Sequence, residues 1–169
     1  MSSDPPRTGG LIEPTVLALT ALVILVADQA SKAAVAASIG LGERVAVIGR
    51  YFELWHAQNR GAAFSLFQGG TILFFAVTVV AVGMIGYFYR TFRGRSLWLH
   101  AVLGVVLGGT LGNLLDRVRL GYVTDFVSIG IGEVRFPAFN VADASIVLGI
   151  GGLLIYLMLT DPSRRKADA

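Results

Sequence analysis

The sequence predicts an all-α membrane protein with four transmembrane helices and small β-rich insertions between spans one and two and between spans three and four. Composition is the first reason. Hydrophobic residues make up 54% of the 169-residue chain and charged residues only 15%, where a soluble domain carries about 25%. Mean hydropathy is the second: at +0.69 the chain has too little polar surface to face water all round. The third is that the apolar residues gather into four runs, each near the roughly 20 residues that cross a bilayer. The length suits a single domain.

The elements follow in order. Residues 1–10 hold Pro5-Pro6 and Gly9-Gly10 and read as a flexible tail. Pro14 suits the first turn of a helix, and span one is expected over 15–39. The apolar run after Arg7 exceeds signal-peptide length, so the span is read as retained. Its second half carries Asp28, Gln29, Ser31 and Lys32. In the insertion from Gly40 to Gly70, the runs Arg44–Ile48 and Tyr51–Trp55 alternate as short strands do. Tyr51, Phe52 and Trp55 suit a membrane–water interface. Span two is expected over 71–89 and span three over 97–115. Gly104, Gly108 and Gly112 form a small-residue stripe that lets another helix approach closely. Asp116 to Asn140 is a second β-prone insertion. Span four covers 141–160, and 161–169 is a second flexible tail.

Charge sets an orientation. Arg90, Arg93 and Arg95 crowd a short connection, and Arg164, Arg165 and Lys166 crowd the end of the chain. Basic residues in short loops and near span ends stay inside, which places both termini in the cytoplasm and both insertions outside. A net charge of +3 could suit nucleic acid. The basic residues lie between apolar segments, however, where they meet anionic headgroups. The chain has no cysteine, which excludes disulfides, a thiolate nucleophile and Cys-ligated metals.

This topology gathers the unusual polar residues at the outer face, where a carboxylate is costly to desolvate and marks a site. Asp28 and Lys32 are spaced i, i+4 and share a helix face; they are either a plain interfacial ion pair or a clamp beside a site. Asn59 and Gly61 fit a surface turn, by spacing the better explanation, or a polar contact to substrate. Asn113, Asp116 and Arg117 face one way at the end of span three. A helix C-terminus explains Arg117 but leaves Asn113 and Asp116 for a hydrogen-bonded network. Asn140 can cap span four with Asp143 at its third position, a relative of the capping box. Capping alone would account for Asp143 but not for Asp125, which sits in a β-prone apolar run. Two carboxylates able to meet can share a proton and activate water. His56 and His100 are too few and too far apart for a metal site, and no Gly-x-Ser-x-Gly elbow is present.

Together these residues resemble the lipoprotein signal peptidase (signal peptidase II) family. The matching blocks are Asp28-Gln-Ala-Ser-Lys32, Asn59-Arg-Gly-Ala-Ala-Phe-Ser65, Gly112-Asn-Leu-Leu-Asp-Arg117, Val123-Thr-Asp-Phe126 and Phe139-Asn-Val-Ala-Asp-Ala-Ser145, in the family's order. The resemblance implies a multi-pass aspartyl endopeptidase of the bacterial inner membrane. It implies substrates that are prolipoproteins carrying diacylglyceryl, cut before the lipidated cysteine, and inhibition by globomycin. Asp125 and Asp143 match the catalytic pair. Asp28, Lys32, Asn59, Gly61, Asn113, Arg117 and Asn140 match positions that shape the pocket or contact substrate, and Asp116 joins them as a supporting residue. No cofactor, metal or nucleic acid is implied; membrane lipid is a partner, and a monomer is expected. A small channel or carrier and a non-catalytic assembly factor are the alternatives, and mutation of either aspartate separates them from an enzyme.

Overall fold

The structure, a computed structural model, describes residues 10–61, 71–94, 96–132 and 134–160, with side chains from Phe75 onward in the second helix. Most of the two tails, the stretch 62–70 and Arg95 lie outside the described residues, and so do the expectations placed on them.

Among the described residues, four helices and four strands follow in this order: α1 (Ile12–Ser38), β1 (Arg44–Ile48), β2 (Phe52–Asn59), α2 (Thr71–Thr91), α3 (Leu97–Leu120), β3 (Val123–Ile131), β4 (Val134–Arg135) and α4 (Val141–Thr160). Three of the helices, α1, α3 and α4, are long and apolar enough to cross a membrane, while the apolar helix from Phe75 to Thr91 is shorter. The helices differ from the expected spans mainly at α3, which runs to Leu120 instead of ending at 115. Asn113, Asp116 and Arg117 belong to the helix itself, and Gly121, left-handed at φ 76°, closes it, as a glycine C-cap does. α1 starts earlier than expected, at Ile12, and takes Glu13 and Pro14 into its first turn.

α3 is the centre of the bundle, packed on α1, α2 and α4. Its glycines make that possible. A Cβ on Gly104 would lie 2.5 Å from the Leu17 carbonyl oxygen, and one on Gly108 would lie 2.5 Å from that of Ala21, both on α1. On another side a Cβ on Gly109 would meet the Ala142 carbonyl of α4 at 2.5 Å. Ile85, Leu103 and Val106 form a buried cluster among these helices. At the end remote from the sheet, Glu13 Oε1 accepts a hydrogen bond from the Gly94 N–H at 2.7 Å. His100, fully buried, sits beside it with Nε2 3.8 Å from Glu13 Oε2. Leu22, Val23, Val80, Val147 and Leu154, by contrast, lie exposed on the outer sides of α1, α2 and α4. Apolar surface of that extent belongs against lipid.

The strands of the two insertions build one antiparallel sheet, in the order β1-β2-β3-β4. β2 is longer than the run Tyr51–Trp55 suggested and reaches Asn59. Its pairing with β3 slips between Leu54 and Ala57, so three steps on β2 oppose two on β3. Such a bulge re-aims side chains near a site, and beyond it Asp125 faces Ala57 and Val123 faces Asn59. The lead-in to α4 is stitched to β3: Phe139 pairs with Val127 through bonds of 2.8 and 3.1 Å. That stitch sets Asn140 beside Asp125.

Candidate active site

Helices and strands meet where the bundle ends and the sheet begins. β3 contributes Asp125, α3 contributes Asn113, Asp116 and Arg117, and the start of α4 contributes Asn140 and Asp143. α1 supplies Asp28, Gln29 and Lys32 from below.

Asn140 is the hub and is fully buried. Its Nδ2 donates to Asp125 Oδ1 at 2.8 Å and, at longer range, to the Thr124 carbonyl and Asn113 Oδ1 at 3.3 and 3.2 Å. Its Oδ1 accepts the Asp143 N–H at 3.0 Å, while Asp143 Oδ2 accepts the Asn140 N–H at 3.2 Å. This reciprocal pair is a capping box, so Asp143 does cap α4 as its position suggested. The same carboxylate also accepts Asn113 Nδ2 at 2.7 Å through its other oxygen. Capping and membership of the polar cluster hold together.

Asp125 is 3% exposed. Asn59 Nδ2 donates to its Oδ2 at 2.9 Å. The Asn59 side-chain oxygen closes a turn by accepting the Gly61 N–H at 2.9 Å, and Gly61 sits at φ 81°, a conformation glycine takes at little cost. The surface turn is thus present, and the same Asn59 side chain holds Asp125. Burial pushes the Asp125 carboxyl up to about 6; the Asn59 and Asn140 hydrogen bonds oppose the rise and the nearby Asp143 adds to it.

The amide orientations follow from what surrounds them. Lys32 Nζ has three acceptors: Asp28 Oδ2 at 2.8 Å, Asp116 Oδ2 at 3.0 Å and Asn113 Oδ1 at 3.1 Å. An ammonium only donates, so Asn113 must turn its oxygen to Lys32 and its Nδ2 to Asp143. Asp28 Oδ1 accepts the Ala142 N–H at 2.9 Å, tying α1 to the first turn of α4. Asp116 Oδ2 accepts the Thr124 N–H at 3.2 Å, tying α3 to β3. Arg117 Nη1 donates to the Asn113 carbonyl at 3.1 Å. A Cβ on Gly112 would lie 2.5 Å from Asp28 Oδ2, so only glycine leaves room for this clasp.

All ten residues singled out in the sequence thus fall in one connected cluster. Gln29 escaped that selection. Its Nε2 reaches Asp28 Oδ2, the Gly112 carbonyl and Asp116 Oδ1 at 3.2, 3.3 and 2.9 Å. Its only signal was its place inside the Asp28–Lys32 block. Among the described residues, no group of three or more His, Asp or Glu is arranged to hold a metal ion.

Known proteins resemble the chain throughout this region. A family model described as signal peptidase (SPase) II matches residues 20–159. The lipoprotein signal peptidase of Symbiobacterium thermophilum is 38% identical over 149 residues, covering 88% of this chain and 96% of that protein. Its counterpart in Geobacter sulfurreducens is 38% identical over 161 residues, covering 92% and 99%. A bacterial membrane enzyme solved by the in meso method at 1.9 Å superposes with a TM-score of 0.78 at 31% identity, covering 88% of this chain and 94% of that one. The matched span contains every residue of the polar cluster, and on that basis the chain belongs to the signal peptidase II family.

Proposed function

We propose that the protein is a membrane aspartyl endopeptidase that removes signal peptides from diacylglyceryl-modified prolipoproteins, cutting before the lipidated cysteine. The observation that carries this is the pair of aspartates joined through one buried asparagine: Asn140 binds Asp125 with its side chain and Asp143 with its backbone N–H.

In this mechanism a water lies between the two carboxyl groups. Asp143, held by the Asn113 and Asn140 N–H donors, acts as base and takes the water proton as the oxygen attacks the scissile carbonyl carbon. Asp125, pushed up to about 6, is suited to carry the shared proton and gives it to the carbonyl oxygen. The C–N bond then breaks, the cysteine amine leaves with the proton taken from water, Asp125 takes back the proton it lent, and the signal peptide departs with a new carboxyl group. Asp28, Lys32, Asn59, Gly61, Asn113, Asp116, Arg117 and Asn140 hold the pair in place or line the approach to it.

The proposal includes four spans, with α2 as the fourth, in the bacterial inner membrane. Both termini are cytoplasmic, the sheet and aspartates lie at the outer face, the working unit is a monomer, and globomycin-type peptides inhibit it. Single cysteines test the orientation, since the chain has none of its own. Arg93→Cys and Leu41→Cys avoid the left-handed Gly94 and Gly42. An impermeant thiol reagent should label position 41 in intact cells and spare position 93; the reverse pattern would overturn the orientation.

Activity is tested by incubating purified protein with prolipoprotein, with and without its diacylglyceryl group, and weighing the products. Lipidated substrate should be cut at least about tenfold faster, a difference of about 1.4 kcal/mol in the barrier. Equal rates would remove the lipid from recognition, and no cleavage of either would remove the protease assignment.

A further inference from the structure

The sheet has two chemically opposite faces, and only one edge of its apolar face is covered. Residues paired across antiparallel strands share a face, as do alternate residues along a strand. Val45, Leu54 and Val127 form one row across β1, β2 and β3, and Ile48, Phe52 and Ile129 form the next. The Phe136 N–H bonds to the Ile129 carbonyl at 2.8 Å and extends that second row. Ile131 and Val134 form a third. Every one of these side chains is apolar.

The other face is charged. Arg44 lies 3.9 Å over the Trp55 ring. Glu53 pairs with Arg44 at 3.2 Å and with Arg135 at 2.5 Å. Both arginines donate to Ser128 Oγ, at 3.3 and 2.9 Å.

The apolar face starts under cover and ends without any. Leu54 and Val127 pack against the buried cluster of Val35 and Ile39 at the end of α1 and Phe126 of β3, as does Val141 at the start of α4. Outward from there most positions are exposed, 42% at Val45, 47% at Ile129, 63% at Ile48, 66% at Phe136, 74% at Ile131 and 81% at Val134, with Phe52 half-buried among them. A contiguous patch of this kind marks an interaction surface. It is continuous with the ends of α1 and α4, whose sides are apolar and exposed and meet lipid. Tyr51 and Arg50 occupy the turn at its rim, both exposed, an amphipathic aromatic and a cation of the kinds that settle among headgroups. We propose that this apolar sheet face rests in the interfacial layer of the bilayer the helices cross, with ordinary membrane lipid as its partner. The inference rests on the multi-pass membrane placement and not on the protease chemistry.

The test uses the full chain in lipid nanodiscs of phosphatidylethanolamine and phosphatidylglycerol. Val134→Cys, on the apolar face, and Ala46→Cys, on the charged face opposite Glu53, are each labelled with an environment-sensitive dye. Lipids brominated on the acyl chain should quench the label at 134 at least threefold more strongly than the label at 46. Iodide in the water should show the opposite preference. Equal quenching by iodide at both positions would overturn the proposal. So would shielding at 134 that grows with protein-to-lipid ratio, which would point to a second copy, or shielding that arises only when lipidated substrate is added.

Discussion

Replacing Lys32 by Met keeps the apolar stem and removes the ammonium. The parent side chain is 5% exposed and its three acceptors lie within 3.1 Å. Removing one partner of a buried ion pair costs roughly 3–5 kcal/mol, because the remaining charge stays buried without compensation. Here two carboxylates, Asp28 and Asp116, lose their counter-ion together, so the upper part of that range applies. For a chain of this size the loss lowers the melting temperature by on the order of 10 °C. Asn113 also loses the group that fixes its amide, and the donor to Asp143 is no longer held. Cleavage measured well below the melting point should fall at least about a hundredfold, some 2.7 kcal/mol in the barrier. Thermal unfolding in detergent reads the first effect and product mass reads the second. Asp28→Asn combined with Lys32→Met should be less unstable than Lys32→Met alone, because it deletes one of the two stranded charges. A Lys32→Met protein that melts within a degree or two of the parent would refute the clasp. One that melts low but cleaves at the parent rate when folded would refute the link from Lys32 through Asn113 to Asp143.

Three further outcomes are expected. Asp125→Asn and Asp143→Asn should each abolish measurable cleavage and fail to add in the double mutant, as residues acting as one unit do; Asp143→Asn should also cost roughly 1 kcal/mol, since one oxygen must now serve two donors, and near-parent processing by that variant would leave only the capping role. Because the folded Asp125 carboxyl lies at about 6 and the unfolded one near 3.9, folding takes up a proton between those values: the stability of the parent relative to Asp125→Asn should be greatest below pH 4 and decline by on the order of 2–3 kcal/mol as pH rises through 6, and melting curves whose difference is flat with pH would remove the shift. Gly108→Ala should cost about 1–3 kcal/mol, because its Cβ would press on the Ala21 carbonyl, whereas Gly86→Ala on α2, with nothing within 4 Å of the new Cβ, should be neutral or mildly stabilising; equal melting temperatures for the two would show that α3 does not need its glycine face.

The parts of this fold legible in the sequence are those with local causes. The long apolar runs located α1, α3 and α4, and spacing put Asn113 with Arg117 and Asp28 with Lys32. The overrun of α3 was hidden because Asn113, Asp116 and Arg117 look like the end of a membrane helix when their partners are unknown. The union of both insertions in one sheet was hidden too, since β2 and β3 pair across some seventy positions with no nearby turn to announce it. Asn140 was visible as a cap, but its bond to Asp125 depends on the pairing of Phe139 with Val127, a tertiary contact. Gln29 stayed out of view because a glutamine beside an aspartate on a helix has no evident target until α3 lies alongside.

The capping box of α4 makes the start of a helix and the heart of the polar cluster one object. The amides of Asn140, Ala142 and Asp143 are bonded to the side chains of Asp143, Asp28 and Asn140 respectively. That turn cannot fray without releasing Asn140 from Asp125. Hydrogen exchange at these three amides is therefore a direct clock on the polar cluster, readable without substrate or inhibitor. Any change that loosens the first turn of α4, however far from the aspartates it begins, disassembles their setting in the same motion.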